Sequence, residues 1–440
     1  MKNKVIKISP PQFLLLIFLL FIVFGTILLK IPAATHGSIS WLDSLFTATS
    51  AMTVTGLVVV DTGTAFTIFG QMVILFLIQV GGIGIMTFAV FIFLVLGRKI
   101  GLKERLLVGN SLNQTSLGGL IRLVKRILLY SLIIEGIAFI FLTLRWGPML
   151  GWRDAIYAAF FHSISAFNNA GFSIWSDSLS GYVGDPVINI IITLLFIIGG
   201  LGFTVLFDLW RTKEFHQLSL HSKLMIKSTI IINLLTMILF FVLEYSNPDT
   251  IGSLSLGEKL WASYFQAVTP RTAGFNTLDI GSLQDPTLFF TIFLMFIGAG
   301  SASTGGGIKV TTFLAITLAA TAYMRGKEDI DISERALSQG TVFRSLAISI
   351  LSVGIIFLGL FILTISEYGE SFIALFFEVV SAFGTVGLSM GITASLSAIG
   401  KLVIICIMFI GKLGPLTLAF SIAAPTTKLI RYPKEEILTG

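Results

Sequence analysis

The sequence predicts an all-α polytopic membrane protein assembled from four internal repeats. Three observations predict it. Of 440 residues, 55 % are hydrophobic and only 12 % charged, whereas a soluble domain carries about 25 % charged residues. Long apolar runs recur along the whole chain. Between them lie four shorter, polar-flecked segments, each closing on a glycine and a large apolar residue.

The mean hydropathy of +0.94 leaves more apolar surface than a soluble core of this size can hide. The apolar runs cover about 13–31, 70–96, 127–145, 187–210, 228–245, 287–324, 345–366 and 399–424. Each is long enough for a bilayer, which takes about 20 residues. Lys2, Lys4 and Lys7 precede the first run, as in a signal peptide. No Ala-x-Ala-like cleavage site follows the run and further spans do, so it reads as a first membrane helix. The net charge of +6 is spread in short basic clusters between spans and does not point to nucleic acid. Segments 1–12, 98–126, 211–227, 325–344 and 428–434 hold 21 of the 29 Lys and Arg residues, which places both termini in the cytoplasm. Segment 101–125 reads as an amphipathic surface helix. With the single Cys406, no disulfide forms within the chain.

The stretches 41–60, 152–175, 261–278 and 372–391 are too short and too rich in Gly, Ser, Thr and Asn to cross a membrane, and read as re-entrant. Aligned on their glycines they are Ser50-Ala-Met-Thr-Val-Thr-Gly56, Ser165-Ala-Phe-Asn-Asn-Ala-Gly171, Val268-Thr-Pro-Arg-Thr-Ala-Gly274 and Ser381-Ala-Phe-Gly-Thr-Val-Gly387. Aromatic residues precede each one, and the glycines are 115, 103 and 113 residues apart. The predicted architecture is therefore four M1–P-loop–M2 repeats, eight spanning helices plus four re-entrant pore helices, in pseudo-fourfold arrangement around one central pore. The repeats run over 1–97, 98–211 (with a preceding cytoplasmic linker), 212–326 and 327–440.

Irregular backbone at membrane depth is tolerated only when buried in protein or lining a water-filled route. Four such segments can aim carbonyl oxygens at a shared axis and replace the hydration shell of a bare cation. The expected filter residues are Thr53, Val54, Thr55 and Gly56 in the first repeat and Asn168, Asn169, Ala170 and Gly171 in the second. Thr272, Ala273 and Gly274 follow in the third, and Gly384, Thr385, Val386 and Gly387 in the fourth. Thr385-Val386-Gly387 matches the start of the TVGYG potassium filter. No Asp or Glu stands in these segments, which argues against a calcium site. Arg271 is expected to point away from the axis, braced by backbone carbonyls or a carboxylate.

The sixth run is interrupted by Gly298-Ala-Gly300-Ser301-Ala-Ser303-Thr304-Gly305-Gly306-Gly307-Ile-Lys309. Its glycines each cost a helix about 1 kcal/mol relative to Ala, so it reads as a flexible gate loop. Close helix packing through small residues is the competing reading; a phosphate loop lacks its Gly-Lys-Ser/Thr ending. Lys412, in the last run, either clamps that loop as a barrier to cations or snorkels to the inner interface. Lys309 reads as reaching the cytoplasmic surface. Gly81-Gly82-Ile83-Gly84 and Gly199-Gly200-Leu201-Gly202 read as packing positions against the re-entrant segments. Asn113-Gln114-Thr115 matches a glycosylation sequon on the cytoplasmic side. His36, His162, His216 and His221 show no metal spacing, and no nucleophile–base pairing indicates an enzyme.

These four glycine-terminated loops, with Asp61-Thr62-Gly63-Thr64, the segment His162–Phe172 and the segment Gln266–Phe275, resemble the Trk/Ktr/HKT superfamily of potassium transporters. The shortness of the chain most resembles the bacterial Ktr membrane subunit. That resemblance implies potassium uptake, often sodium-dependent, with K+ as the transported ion and Na+ as an activator. It implies a homodimer in membrane lipid with one pore per subunit and an intramembrane gate at 298–309. A cytoplasmic ring of RCK/KTN-type regulatory subunits would bind the nucleotide; no cofactor is held covalently by this chain. Serine at the first filter glycine is linked in the superfamily with sodium preference, so Gly56 favours potassium. At the position of Lys412 the superfamily usually carries Arg. The alternative is a sodium or potassium/sodium symporter with alternating access.

Overall fold

A computed structural model describes residues 10–84, 120–212, 214–327, 329–332 and 335–422. The helix expected over 101–125, the sequon at Asn113 and the basic C-terminal segment lie wholly or mostly outside these. The protein is a helical, multi-pass membrane protein. Among the described residues, four helices are long and apolar enough to cross a bilayer unbroken: α1 (Pro10–Lys30), α4 (Leu120–Leu150), α8 (Leu220–Glu244) and α12 (Gln339–Ser366). Their outward faces are apolar and bare. Leu132 on α4, Leu235 on α8 and Phe357 on α12 are 64 %, 61 % and 72 % exposed, as expected of side chains solvated by lipid.

After each long helix comes a short buried one: α2 (Trp41–Thr53), α5 (Trp152–Phe167), α9 (Leu256–Val268) and α13 (Phe372–Gly384). At 13 to 16 residues and 1.5 Å per residue, none crosses a bilayer. Serine side chains start three of them. Ser40 accepts from Asp43 N, Ser371 from Ala374 N, and Ser255 forms a capping box with Glu258, which satisfies orphan N–H groups of the first turn.

The helices that follow are α3 (Ile68–Ile83), α6 (Pro186–Leu201), α10 (Asp285–Phe296) and α14 (Ala398–Leu413). Here the structure corrects the sequence reading. The fourth and eighth runs were expected to be continuous spans, but both break part-way along the run. Gly202 (φ +100°) ends α6 and Gly414 (φ +84°) ends α14; Gly84 (φ +90°) ends α3 in the same way. The chain then turns 95° from α6 into α7 (Phe203–Arg211) and continues past α14 as α15 (Pro415–Ile422). The cause is a Gly-x-(Ile/Leu)-Gly motif whose second glycine takes a left-handed backbone that side chains disfavour. In the sixth run α10 and α11 (Val310–Met324) flank the expected interruption. A two-stranded hairpin, β1 (Asp331–Ile332) with β2 (Arg335–Ala336), caps the charged connection before α12.

Each short helix packs on the long helix before it, and each helix that follows packs on the next short helix along the chain: α3 on α5, α6 on α9, α10 on α13, and α14 back on α2. Three of these seams carry a polar stitch. Tyr157 OH donates to Gln71 Oε1; Thr193 Oγ1 and Tyr264 OH are 2.9 Å apart; Lys401 Nζ meets Asp43 Oδ1 at 2.8 Å. The last joins residues 358 positions apart and ties the end of the fold to its start. Both side chains are largely buried, 15 % and 20 % exposed. Lys401→Met is expected to lower stability in detergent by on the order of 1 kcal/mol, and the charge-swapped pair Asp43→Lys with Lys401→Asp to recover part of it; thermal unfolding of the purified protein measures both.

Candidate functional site

The four short helices converge end to end, and the chain leaving each follows one conformational recipe. Two residues before each glycine, a residue adopts a left-handed backbone: Val54 (φ +57°), Asn169 (+58°), Thr272 (+70°) and Thr385 (+50°). The glycines follow at φ +92°, +67°, +75° and +92° for Gly56, Gly171, Gly274 and Gly387. Left-handed φ costs a non-glycine residue about 1–2 kcal/mol, and β-branched Val and Thr are genuine outliers there. Such strain persists where the surroundings over-determine it, typically at functional sites.

The glycines touch in sequence. A Cβ built on Gly56 stands 2.4 Å from Ala170 O, one on Gly171 2.8 Å from Gly274 Cα, one on Gly274 2.4 Å from Val386 O, and one on Gly387 2.1 Å from Thr55 O. The contacts run from first to second, third, fourth and back to first. No side chain fits at any of the four.

Hydroxyls hold this backbone from behind. Ser50 Oγ accepts from Gly56 N and Ser381 Oγ from Gly387 N, each at 3.1 Å. Ser165 Oγ donates to Phe172 O at 2.7 Å and Thr269 Oγ1 to Phe275 O at 2.5 Å. In the sequence, the signal for these positions is the recurrence of a hydroxyl residue five or six places before each glycine. Outside the ring lies a cavity of about 250 Å³ lined by all four glycines, Asp61 and Asp279. The filter segments lack acids, yet their approach carries two. Both carboxylates cap their own loops, Asp61 on Thr64 and Asp279 on Gly281 and Ser282.

The side chains of some expected filter residues are engaged away from the glycines. Asn168 ends α5 with its amide turned outward, donating to Gln79 Oε1 at 2.7 Å and to Glu135 at 3.3 Å. Thr53 bonds back to Thr49 O at 2.8 Å. Gly384 is the last residue of α13, flush against Met295 O. Arg271 reaches to α8, and among the described residues it finds neither carbonyl nor carboxylate. It is 7 % exposed and donates from Nη2 to Thr229 Oγ1 at 3.3 Å. Glu244, the acid of α8, is already engaged by Asn247, Thr250 and Gln284 N.

The interruption at 298–309 lies against the inner side of the ring. Thr304 Oγ1 donates to Asn169 Oδ1 at 2.9 Å and Gly306 N to Thr385 Oγ1 at 2.8 Å. Gly305 abuts Thr272, and Gly307 abuts Gly384. The helix breaks supply further acceptors: Gly300 N bonds to Gly200 O at 2.8 Å, Thr304 N to Gly199 O at 3.3 Å and Gly307 N to Gly411 O at 3.2 Å. Gly298 N pairs with Ile308 O at 2.8 Å, closing the loop's neck. Ser303 Oγ donates to Gly300 O at 2.6 Å, and Ser301 Oγ lies 2.9 Å from Thr311 Oγ1. Lys412 Nζ donates to Thr304 O at 2.5 Å, so it turns into the loop and does not snorkel. Lys309 overturns its expectation too. Its Nζ donates to Gly305 O at 2.6 Å, because the neck pairing starts α11 with that side chain beneath the loop.

Residues 14–432 match the family model described as TrkH, cation transport protein. The chain belongs to this cation transport family. It is 55 % identical to the Ktr system potassium uptake protein B of Bacillus subtilis (strain 168), over 100 % of this chain and 99 % of that one. It is 44 % identical to the protein of the same description from Vibrio alginolyticus, over 100 % and 97 %. The Potassium/sodium uptake protein NtpJ of Enterococcus hirae is 35 % identical over 100 % and 99 %. Among solved structures, the potassium transporter TrkH from Vibrio parahaemolyticus superposes with a TM-score of 0.76 at 22 % identity, covering 96 % of this chain and 86 % of that one; this likeness speaks to the fold. As a TrkH-family chain the protein is a membrane transporter of cations.

The packing glycines of the broken helices test how tightly the short helices are seated. A Cβ on Gly81, Gly199 or Gly411 would stand 2.0 Å from Met52 O, Phe167 O or Phe383 O, always four residues before the ring glycine. Gly199→Ala and Gly411→Ala are expected to lower the melting temperature and yield of purified protein. Gly136→Ala, on α4 with nothing within 4 Å of its added Cβ, is expected to lower neither, since in a helix Ala is the better residue by about 1 kcal/mol.

Proposed function

We propose that this chain is the membrane subunit of a potassium uptake system and conducts K+ through one central pore between its four repeats. The observation that carries this reading is the cyclic contact of Gly56, Gly171, Gly274 and Gly387. A ring of backbone segments without side chains is suited to replacing a cation's hydration shell with carbonyl oxygens. The repeats run over 1–97, 98–211, 212–326 and 327–440, each an M1, a pore helix and an M2 that breaks at mid-membrane. Both termini face the cytoplasm, in keeping with the positive-inside rule. The outer cavity, with Asp61 and Asp279, concentrates cations above the filter.

The loop 298–309 acts as the gate. Its bonds to Asn169 and Thr385 set it across the inner mouth, and Lys412 and Lys309 add positive charge there. The relatives named for a Ktr system support a multicomponent assembly: a homodimer on a ring of nucleotide-binding RCK/KTN-type subunits, with sodium as activator. A symporter with alternating access is less favoured, since four like-oriented segments meeting in one ring suit a fixed filter.

Expression with a Ktr-type regulatory subunit in a cell lacking its own uptake systems is expected to restore growth at limiting potassium; failure at normal membrane levels counts against the reading. Gly56→Ser puts a side chain against Ala170 O on left-handed backbone. With a strain of about 1–2 kcal/mol, the K+ over Na+ preference should fall about tenfold, read from cation competition for uptake. Thr304→Val and Lys412→Gln each remove about one hydrogen bond of about 1 kcal/mol from the docked loop. Each should raise flux without the regulatory subunit about fivefold in proteoliposomes; unaltered flux at equal incorporation rules the loop out as the gate.

A further inference from the structure

Nine residues before the ring glycine, on the short helix, and two residues after it, on the exit strand, the second and fourth repeats carry matching polar pairs. In the second they are His162 and Ser173, in the fourth Glu378 and Ser389. His162 Nε2 is 3.0 Å from Ser173 Oγ, and Glu378 Oε2 is 2.8 Å from Ser389 Oγ. In both repeats the serine also accepts a backbone N–H from two residues further on, from Trp175 and Gly391, each at 3.0 Å. The first and third repeats lack the pair. They hold Thr47 with Val58 and Phe265 with Asn276 at these positions, and the Thr47 hydroxyl is buried without a partner.

We propose that these two pairs are outer braces of the filter. His162 and Glu378 act as positioning residues that fix the exit strands of Gly171 and Gly387 and thereby sharpen discrimination between monovalent cations. The inference rests on the filter reading above. In the contact order the second and fourth glycines are diagonal, so the braces act on one diagonal of the ring.

Counting protons assigns the chemical state of each brace. The neighbour of His162 Nδ1 is Ala158 O, at 2.8 Å, and a carbonyl only accepts. Nδ1 therefore carries the hydrogen. The ring is fully buried, stacked 4.3 Å from Trp175 and flanked by Trp146. No carboxylate contacts it among the described residues. As a neutral imidazole it accepts the Ser173 proton on Nε2.

Glu378 is likewise fully buried. Its Oε1 meets Thr393 Oγ1 at 2.5 Å, and Thr393 Oγ1 meets Ser389 Oγ at 3.0 Å. With the Ser389 contact to Oε2, three groups share three oxygen–oxygen contacts. An ionised carboxylate leaves two hydroxyl protons for three contacts. A neutral acid supplies the third, and the ring closes with Glu378 donating to Thr393, Thr393 to Ser389 and Ser389 back to Glu378. Ser389 is then saturated, with two hydrogen bonds accepted and one donated. Both serines line the outer cavity beside Gly171 and Gly387, so the braces act where a cation sheds its outer water.

The test is competition between rubidium and sodium for uptake by the full chain with its regulatory subunit. Ser173→Ala and Ser389→Ala each remove one oxygen atom and should lower the preference for rubidium about fivefold, the equivalent of one hydrogen bond. Thr47→Val, on the unbraced diagonal, should not change it. Glu378→Gln supplies an N–H where the neutral acid has its O–H, and should keep the preference that Glu378→Ala loses. A glutamine variant as unselective as the alanine variant overturns the neutral ring, and serine variants with unaltered preference overturn the braces. If Glu378→Ala fails to reach the membrane, Ser389→Ala decides. Wild type and Gly56→Ser in the same assay separate the two readings: the filter reading fails if those two do not differ, and the braces fail alone if they differ but the serine variants do not.

Discussion

The constraint on which this structure depends is that backbone N–H and C=O groups at membrane depth must find partners inside the protein. The chain leaves regular helix there repeatedly: at four ring segments, at the glycine breaks and at the loop 298–309. Each departure frees groups that another satisfies. The breaks at Gly202 and Gly414 expose the last carbonyls of α6 and α14, and the loop spends its N–H groups on Gly199, Gly200 and Gly411. The loop is therefore held largely by main-chain bonds, which explains how a stretch so rich in glycine has a defined place.

The same logic fixes the ring. Left-handed backbone at Val54, Asn169, Thr272 and Thr385 is unfavourable residue by residue. It is held because each exit strand is bonded back onto its own short helix. Val386 N returns to Ser381 O at 2.9 Å, Thr55 N to Ser50 O and Ala170 N to Ser165 O, each at 2.8 Å. Rigid seating of the short helices follows from the packing glycines, and rigidity of the whole circle from closing the last seam with Lys401 and Asp43. Strain, seating and closure are one chain of dependence: loosening a seam releases the pressure that keeps the strained residues in place.

The membrane class, the long helices, the short helices between them and the loop at 298–309 were legible because each leaves a periodic or compositional mark. The ring glycines were legible because they repeat. The breaks in α6 and α14 were not, since Gly-x-Leu-Gly inside an apolar run reads equally as a packing motif, and both glycines turn out to serve: the first packs, the second breaks. The partners of the Asn168 side chain were not legible for a related reason. The second repeat offers two asparagines in succession, and only geometry tells that one turns out to Gln79 and Glu135 while the other faces Thr272 and Thr304. Long side chains were least legible. Lys309 and Arg271 can each reach several environments, and the choice depends on carbonyls and hydroxyls contributed by distant parts of the chain.

The repeats share a plan but divide the labour unequally. The loop belongs to the third repeat yet docks on the second and fourth, through Asn169, Gly199, Thr385 and Gly411, and the lysine that holds Thr304 O comes from the fourth. The third repeat is also the one whose exit strand is bonded through Thr269, a residue later than the serines of the other three. Pro270 and Arg271 occupy the turn that follows. The neighbouring segments thus supply most of the hydrogen-bonding groups that hold the loop. The second and fourth repeats, which receive the loop on the inner side, are the two with a polar pair on the outer side. The diagonal that is gripped from below is also the one that carries the outer polar pairs, while the third exit strand is tied sideways to the second through Asn276, Ser178 and Leu179.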